Sequence, residues 1–171
     1  MKSQKSQVTS HKLKPEVKKL EGMIDVSGKE ETERVAKAQV FIKLKKEIVR
    51  RIKEQKILKG DVLEQARAAG ILAAKKTPDL IPMCHPLRLS EVSISFEVVE
   101  GGIRVASRVS AVERTGVEME ALTACCIAAL TIYDMCKMYD RSIEITDLML
   151  IKKRGGKSGA FERAKRKERD G

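Results

Sequence analysis

Asp134 and Lys137 stand three residues apart, just past a run, Ala121–Tyr133, that carries no charged side chain. On an apolar helix such a couple is one of two things. It is a plain i,i+3 ion pair, contributing about 0.2–0.5 kcal/mol, or an acid–base pair whose pKa values are pulled by burial and by each other. A buried carboxylate costs several kcal/mol unless it is paired. Glu118 and Glu120 open the same helix. Their plain reading is as first-turn acids favoured by the helix dipole. At about 100° per residue Glu120, Asp134 and Lys137 share roughly a third of the circumference. Glu120 and Asp134 are nevertheless about 21 Å apart along the axis. If both act, either a second subunit completes the site or the ligand is long.

Two other stretches carry chemistry-bearing residues. In "LIPMCHPL" (80–87) Cys84 adjoins His85, one of two histidines in the chain. Adjacent side chains diverge, so a Cys–His dyad is improbable. Pro82 and Pro86 stiffen the backbone and suit His85 to donate to a phosphate or carbonyl, although a lone His is more often a packed or surface residue. Cys84, Cys125, Cys126 and Cys136 form no CxxC pair, so neither spacing nor neighbours point to a metal site. "RGGKSGAF" (154–161) is not a phosphate-binding P-loop, because Ile151 stands where the first glycine is needed. Its two glycines, with Lys153, Arg154 and Lys157, still suit an anion-binding loop. The start of a basic tail is an equal alternative.

The elements that must position these residues follow from pattern. Residues 32–43 alternate apolar and polar at first and read as a strand, with a helix as the alternative; 45–56 read as a charged helix. Asp61 suits an N-cap, with Glu64 placed to close a capping box, for an Ala-rich helix that Thr77-Pro78 ends. Val92–Val98 alternate cleanly, Glu100-Gly101-Gly102 signals a hairpin turn, and Ile103–Val109 form the partner strand. Thr115–Glu118 is a second capping-box candidate, opening a long helix to about Tyr139. Residues 142–151 read as a last strand. The order β-α-α-β-β-α-β predicts an α+β ferredoxin-like sandwich, an antiparallel sheet with helices on one face.

Composition sets the bounds. The chain has 171 residues, 42% of them hydrophobic and only 3% aromatic, with no Trp. That allows one domain with an aliphatic, Ala-rich core. The net charge of +11 belongs to the ends. Residues 1–20 carry six Lys against one Glu, and 152–171 carry nine basic against three acidic residues, so the stretch between is neutral. A basic flexible tail at 1–22, a single domain at 23–159 and a second basic tail at 160–171 are expected. A neutral core with few aromatics for base stacking makes nucleic acid an unfavoured partner. The apolar run 121–133 is too short for a bilayer, and no signal peptide is apparent, so a cytoplasmic protein with reduced thiols is expected.

Read together, "KGDVLEQARAAGILAAKK", "DLIPMCHPL", "TGVEMEALTACCIAALTIYDMCK" and "GGKSG" closely resemble the cyclic pyranopterin monophosphate synthase family, the C protein of molybdenum-cofactor biosynthesis. The resemblance spans about Met23 to Gly159. It implies the ferredoxin-like fold, a homo-hexamer built as a trimer of dimers, and sites at subunit interfaces. The implied reaction is that of a lyase. It converts (8S)-3′,8-cyclo-7,8-dihydroguanosine 5′-triphosphate to cyclic pyranopterin monophosphate and diphosphate, with no resident cofactor and a role for Mg²⁺ beside the triphosphate left open. By motif match Lys59, Asp134 and Lys137 are the implied catalytic groups, with Asp134 as general acid/base. Met83, Cys84, His85, Met119, Glu120 and Glu118 would line the base and ribose side, and Arg34, Lys153 and Lys157 would hold phosphates. Two departures stand out: Arg114 where many members have Lys, and no aromatic near Pro78. Two other readings are an RNA-binding module driven by the basic ends and a non-catalytic partner of another enzyme in the pathway.

Overall fold

The computed structural model describes residues 22–157 and 159–164. The tail expectations for 1–21 and 165–171 lie outside the described residues, as does Ser158. In chain order the elements are β1 (Thr32–Lys43), α1 (Lys46–Lys53), α2 (Val62–Lys75), the short α3 (Thr77–Leu80), β2 (Leu89–Val99), β3 (Gly102–Glu113), α4 (Glu118–Cys136), β4 (Glu144–Arg154) and the two-residue β5 (Phe161–Glu162). The strands pair antiparallel in the order β2-β3-β1-β4-β5. The first four give the ferredoxin-like arrangement the pattern predicted. β5 adds an edge inside the stretch read as tail.

Period-two alternation decides the faces. Ala36, Ala38, Val40 and Ile42 of β1 and Ile103, Val105, Val109 and Ala111 of β3 are buried. α4 packs against both strands, α2 packs against β2, and the two helices pack on each other. Fully burying a residue such as Ile42, Ile103 or Ile132 contributes about 1.5–3 kcal/mol each. Gly70 marks the closest helix approach. A Cβ there would lie 2.8 Å from the Ala124 carbonyl oxygen and 2.3 Å from Ile94 Cδ1, so the small residue lets α2 and α4 touch along their backbones.

The two capping expectations divide. Asp61 caps α2, its carboxylate accepting from the amides of Leu63 (3.0 Å) and Glu64 (3.1 Å). Glu64 does not close the box; it turns to Arg67 at 3.2 Å. At α4 no side chain caps the helix, because it starts at Glu118 and its N-cap is Val117, which has no side-chain acceptor; Glu118 pairs with Lys153. α2 ends at Lys75, as Pro78 requires, but Pro78 then starts the separate turn α3. α4 stops at Cys136 rather than Tyr139, and β4 runs on to Arg154 rather than Ile151. At 19 residues α4 is long and apolar enough to cross a bilayer by length and composition alone, although its uncharged run is only the 13 residues 121–133. It lies instead against the sheet, with Ala121, Ala124, Cys125, Ala128, Ala129 and Ile132 fully buried.

Candidate active site

α2 starts beside the C-terminal end of α4 and crosses it near Ala124. The loop after α3 is therefore delivered to the N-terminal end of α4, and the "KGD" turn to its C-terminal end. The candidate residues fall into groups at these two ends.

At the N-terminal end lies a cleft of about 850 Å³, lined by Arg34, Thr115, Gly116, Glu118, Lys153 and Lys157 among others. Arg34 projects from the helix-facing side of β1 and is 8% exposed. Its Nε donates to the Glu113 carbonyl at 3.0 Å and its Nη2 to the Arg114 carbonyl at 3.3 Å. Two carbonyls thus fix the guanidinium. The loop after β4 closes over it. Gly155 (φ +101°) and Gly156 (φ +80°) are both left-handed, and a Cβ on Gly156 would sit 1.7 Å from Arg34 Nη1. Only glycine lets the loop turn this tightly onto a charged side chain. Lys153, carried onto the helix-facing side by the extension of β4, meets Glu118 at 2.9 Å. The Glu118 carboxylate folds over Gly116, where a Cβ would lie 1.8 Å from Oε2. Lys157 is exposed at the rim. The arrangement is a cleft lined by Arg34, Lys153 and Lys157 beside a glycine loop, and it can hold phosphate oxygens.

Close by, Glu120 is 3% exposed and its Oε2 has no hydrogen-bond partner. Burial pushes its carboxyl up to about 7, and the charge of Glu118 adds to the rise. Cys84 is half-buried; burial raises its thiol pKa, with Glu120 as the second cause. His85 is half-buried too, while Met83 and Met119 are exposed. Asp25 lies within electrostatic reach of His85; its carboxyl is lowered chiefly by the Ser27 amide.

At the C-terminal end Asp134 is gripped by two ammonium groups. Lys59 Nζ donates to Oδ2 at 2.6 Å and to the Asp134 carbonyl at 3.0 Å; Lys137 Nζ lies 2.7 Å from Oδ1. Hydrogen bonds from Lys137 and then Lys59 hold the Asp134 carboxyl at about 2, and Asp134 in turn raises Lys137. The i,i+3 ion pair is thus present, with a third member from the loop before α2. The trio is open within one chain: the side chains of Lys59, Asp134 and Lys137 are 43%, 54% and 53% exposed. Glu118 and Asp134 are about 24 Å apart along α4. The chain does not join its own two groups. Among the described residues no three His, Cys, Asp or Glu side chains converge as metal ligands.

The sequence profile of the MoaC family matches residues 23–156, most of the chain and all of both groups except Lys157. The chain belongs to the MoaC family. Among similar proteins, the cyclic pyranopterin monophosphate synthase of Thermoanaerobacter pseudethanolicus is 54% identical over 143 residues, covering 82% of this chain and 90% of that protein. The proteins of the same name from Peptoclostridium acidaminophilum (50% over 141 residues, 82% and 90% covered) and Pelobacter propionicus (52% over 143 residues, 82% and 89%) are comparably close. Within this MoaC chain, sequence reasoning passed over two residues. Glu113 supplies a carbonyl to Arg34 and accepts the Arg88 amide on its side chain at 3.0 Å. Tyr139 bonds the loop that carries Lys59. Neither has a local pattern that marks it, because both act across distant segments.

Proposed function

We propose that this chain is a cyclic pyranopterin monophosphate synthase, a lyase that converts (8S)-3′,8-cyclo-7,8-dihydroguanosine 5′-triphosphate to cyclic pyranopterin monophosphate and diphosphate. One observation carries the reading for this chain's own residues. A cationic cleft at one end of α4 and a Lys–Asp–Lys cluster at the other are both built, yet about 24 Å apart. They serve one nucleotide only if the cluster of one subunit faces the cleft of another. Leu72, Leu80, Met83, Met119 and Leu130 are exposed near this helix pair, which supports an assembly that covers them. We take that assembly to be a cytoplasmic homo-hexamer, a trimer of dimers.

In this reading Arg34, Lys153 and Lys157 hold the triphosphate, and Glu118 releases Lys153 to it. Cys84, His85, Met83 and Met119 line the base and ribose. Mg²⁺, where it takes part, travels on phosphate oxygens. To close the cyclic phosphate, a ribose-derived hydroxyl attacks the α-phosphorus. A new P–O bond forms, the bond to the bridging oxygen breaks, diphosphate leaves with that electron pair, and the hydroxyl proton passes to a base. Lys59 and Lys137 face the negative charge that develops. A carboxyl held at about 2 is a carboxylate throughout the neutral range. Asp134 therefore keeps both lysines aimed and favours the charged form of Lys137, and moves protons only where the bound substrate loosens that grip. Glu120, near 7 and without a partner, is matched to carry protons at neutral pH.

The test is diphosphate release from the cyclised nucleotide by purified protein. Wild type releases it, and Asp134→Asn loses activity by at least about 100-fold while keeping its oligomeric state. An assembled wild-type protein that releases none refutes the proposal.

A further inference from the structure

Lys59 reaches Asp134 from a short turn between two fixed residues. Ile57, before it, is buried at 5% exposure, and Asp61, after it, is fixed as the N-cap of α2. Between them Leu58 points its side chain into solvent at 80% exposure, and Gly60 folds back to the Ile57 carbonyl at 3.0 Å. The turn therefore has no side-chain anchor of its own at position 58. Apart from Lys59 itself, its tie to the chain that follows α4 is made by the main chain. The Leu58 amide donates to the Tyr139 hydroxyl at 3.0 Å.

Tyr139 is itself held from two sides. Its amide donates to the Cys136 carbonyl at 2.9 Å, in the turn that ends α4. Its ring packs against the core edge and lies 5.2 Å from the Arg51 guanidinium, which is bonded to Glu47 at 2.8 Å and 3.1 Å. A stacked cation of this kind resists movement of the ring. The hydroxyl is thus a fixed acceptor on the same helix end that carries Asp134 and Lys137. It sets the height of the residue next to Lys59 relative to that helix.

We propose that Tyr139 is a positioning residue for Lys59: its hydroxyl holds the Leu58 amide and so fixes the turn from which Lys59 meets Asp134. Tyr139 touches no substrate in this account. The inference rests on the synthase reading only for its kinetic consequence; the positioning itself is independent of it. A shift of a catalytic group by a fraction of an ångström lowers the rate of the chemical step without changing how phosphates are held.

The experiment is Tyr139→Phe, which keeps the ring and its Arg51 contact and removes only the acceptor. Three readouts are compared with wild type. Exchange of the Leu58 amide, followed by NMR, should speed up by about tenfold, the scale of one lost hydrogen bond. Acetylation of Lys59 by a limiting reagent, followed by mass spectrometry, should rise severalfold, as its contact with Asp134 loosens. On the cyclised nucleotide kcat should fall by about 3- to 10-fold with KM within twofold, and the melting temperature should fall by no more than about 5 °C. Unchanged Leu58 exchange and Lys59 labelling overturn the proposal. So does an unchanged kcat in a wild-type background that is active. An inactive wild type instead sinks the synthase reading, and exchange and labelling still decide the role of Tyr139.

Discussion

Glu120 offers the sharpest test of the electrostatics. Its carboxyl moves from 4.5 in the unfolded chain to about 7 in the fold, because burial penalises the charged form. The folded chain therefore keeps a proton that the unfolded chain releases between those values. Stability contributed by this group is present below about pH 4.5 and is lost as pH rises through 7. A shift of about two and a half units corresponds to about 3 kcal/mol. Glu120→Gln keeps the shape and an unpartnered polar atom at Oε2 but cannot ionise. At pH 5 wild type and variant should differ little. Between pH 5 and 8 the wild type should lose about 2.5 kcal/mol that the variant keeps, a difference of about 5–10 °C in melting temperature for a chain of this size. Thermal melts of both proteins, at one protein concentration because the assembly contributes to stability, give the comparison directly. Parallel pH profiles would refute the reasoning. They would mean that Glu120 is ionised in the fold, with Oε2 satisfied across a subunit boundary, and its role as a neutral-pH proton carrier would lose its basis.

Two glycines of the loop after β4 should fail in different ways. In Gly156→Ala the new Cβ displaces the Arg34 guanidinium, the movable end of a side chain. Triphosphate affinity measured by calorimetry should fall about tenfold, the scale of a charged hydrogen bond, and about 1–2 kcal/mol of stability should go to the left-handed φ. In Gly155→Ala the Cβ would sit 2.1 Å from the Glu33 carbonyl oxygen, which only a backbone shift relieves, so denaturant unfolding should show the larger stability loss of the pair. Asp61→Ala removes the acceptor for two α2 amides. It should cost about 0.5–2 kcal/mol by the same measurement and also loosen the turn that carries Lys59.

Much of the fold was legible locally. The alternation of Val92–Val98, the turn at Gly101 and the Asp61 cap each lie within a few residues of chain, and each forms as its pattern requires. The misreadings share a cause. Thr115 and Glu118 have the spacing of a capping box, but α4 starts only at Glu118, with Val117 as N-cap, and the carboxylate pairs with Lys153, 35 residues further on. Glu64 is likewise taken by Arg67. The helix pattern through Lys137–Tyr139 carries no stop signal, and α4 ends where Tyr139 is committed to the loop at Leu58.

The sequence by itself determined the element order, the inward faces of β1, β2 and β3, the family blocks and the fact that Glu120 and Asp134 are too far apart on one helix for a single small ligand. These depend on period, spacing and residue type, which are properties of short segments. Only the tertiary structure decided which carboxylates are protonated and who holds them. Glu120 is raised because the packed interior excludes water from it, whereas Asp134, on the same helix, is lowered because Lys59 arrives from the turn before α2. Charge at a site is set by everything that surrounds it, and most of what surrounds these two residues comes from elsewhere in the chain.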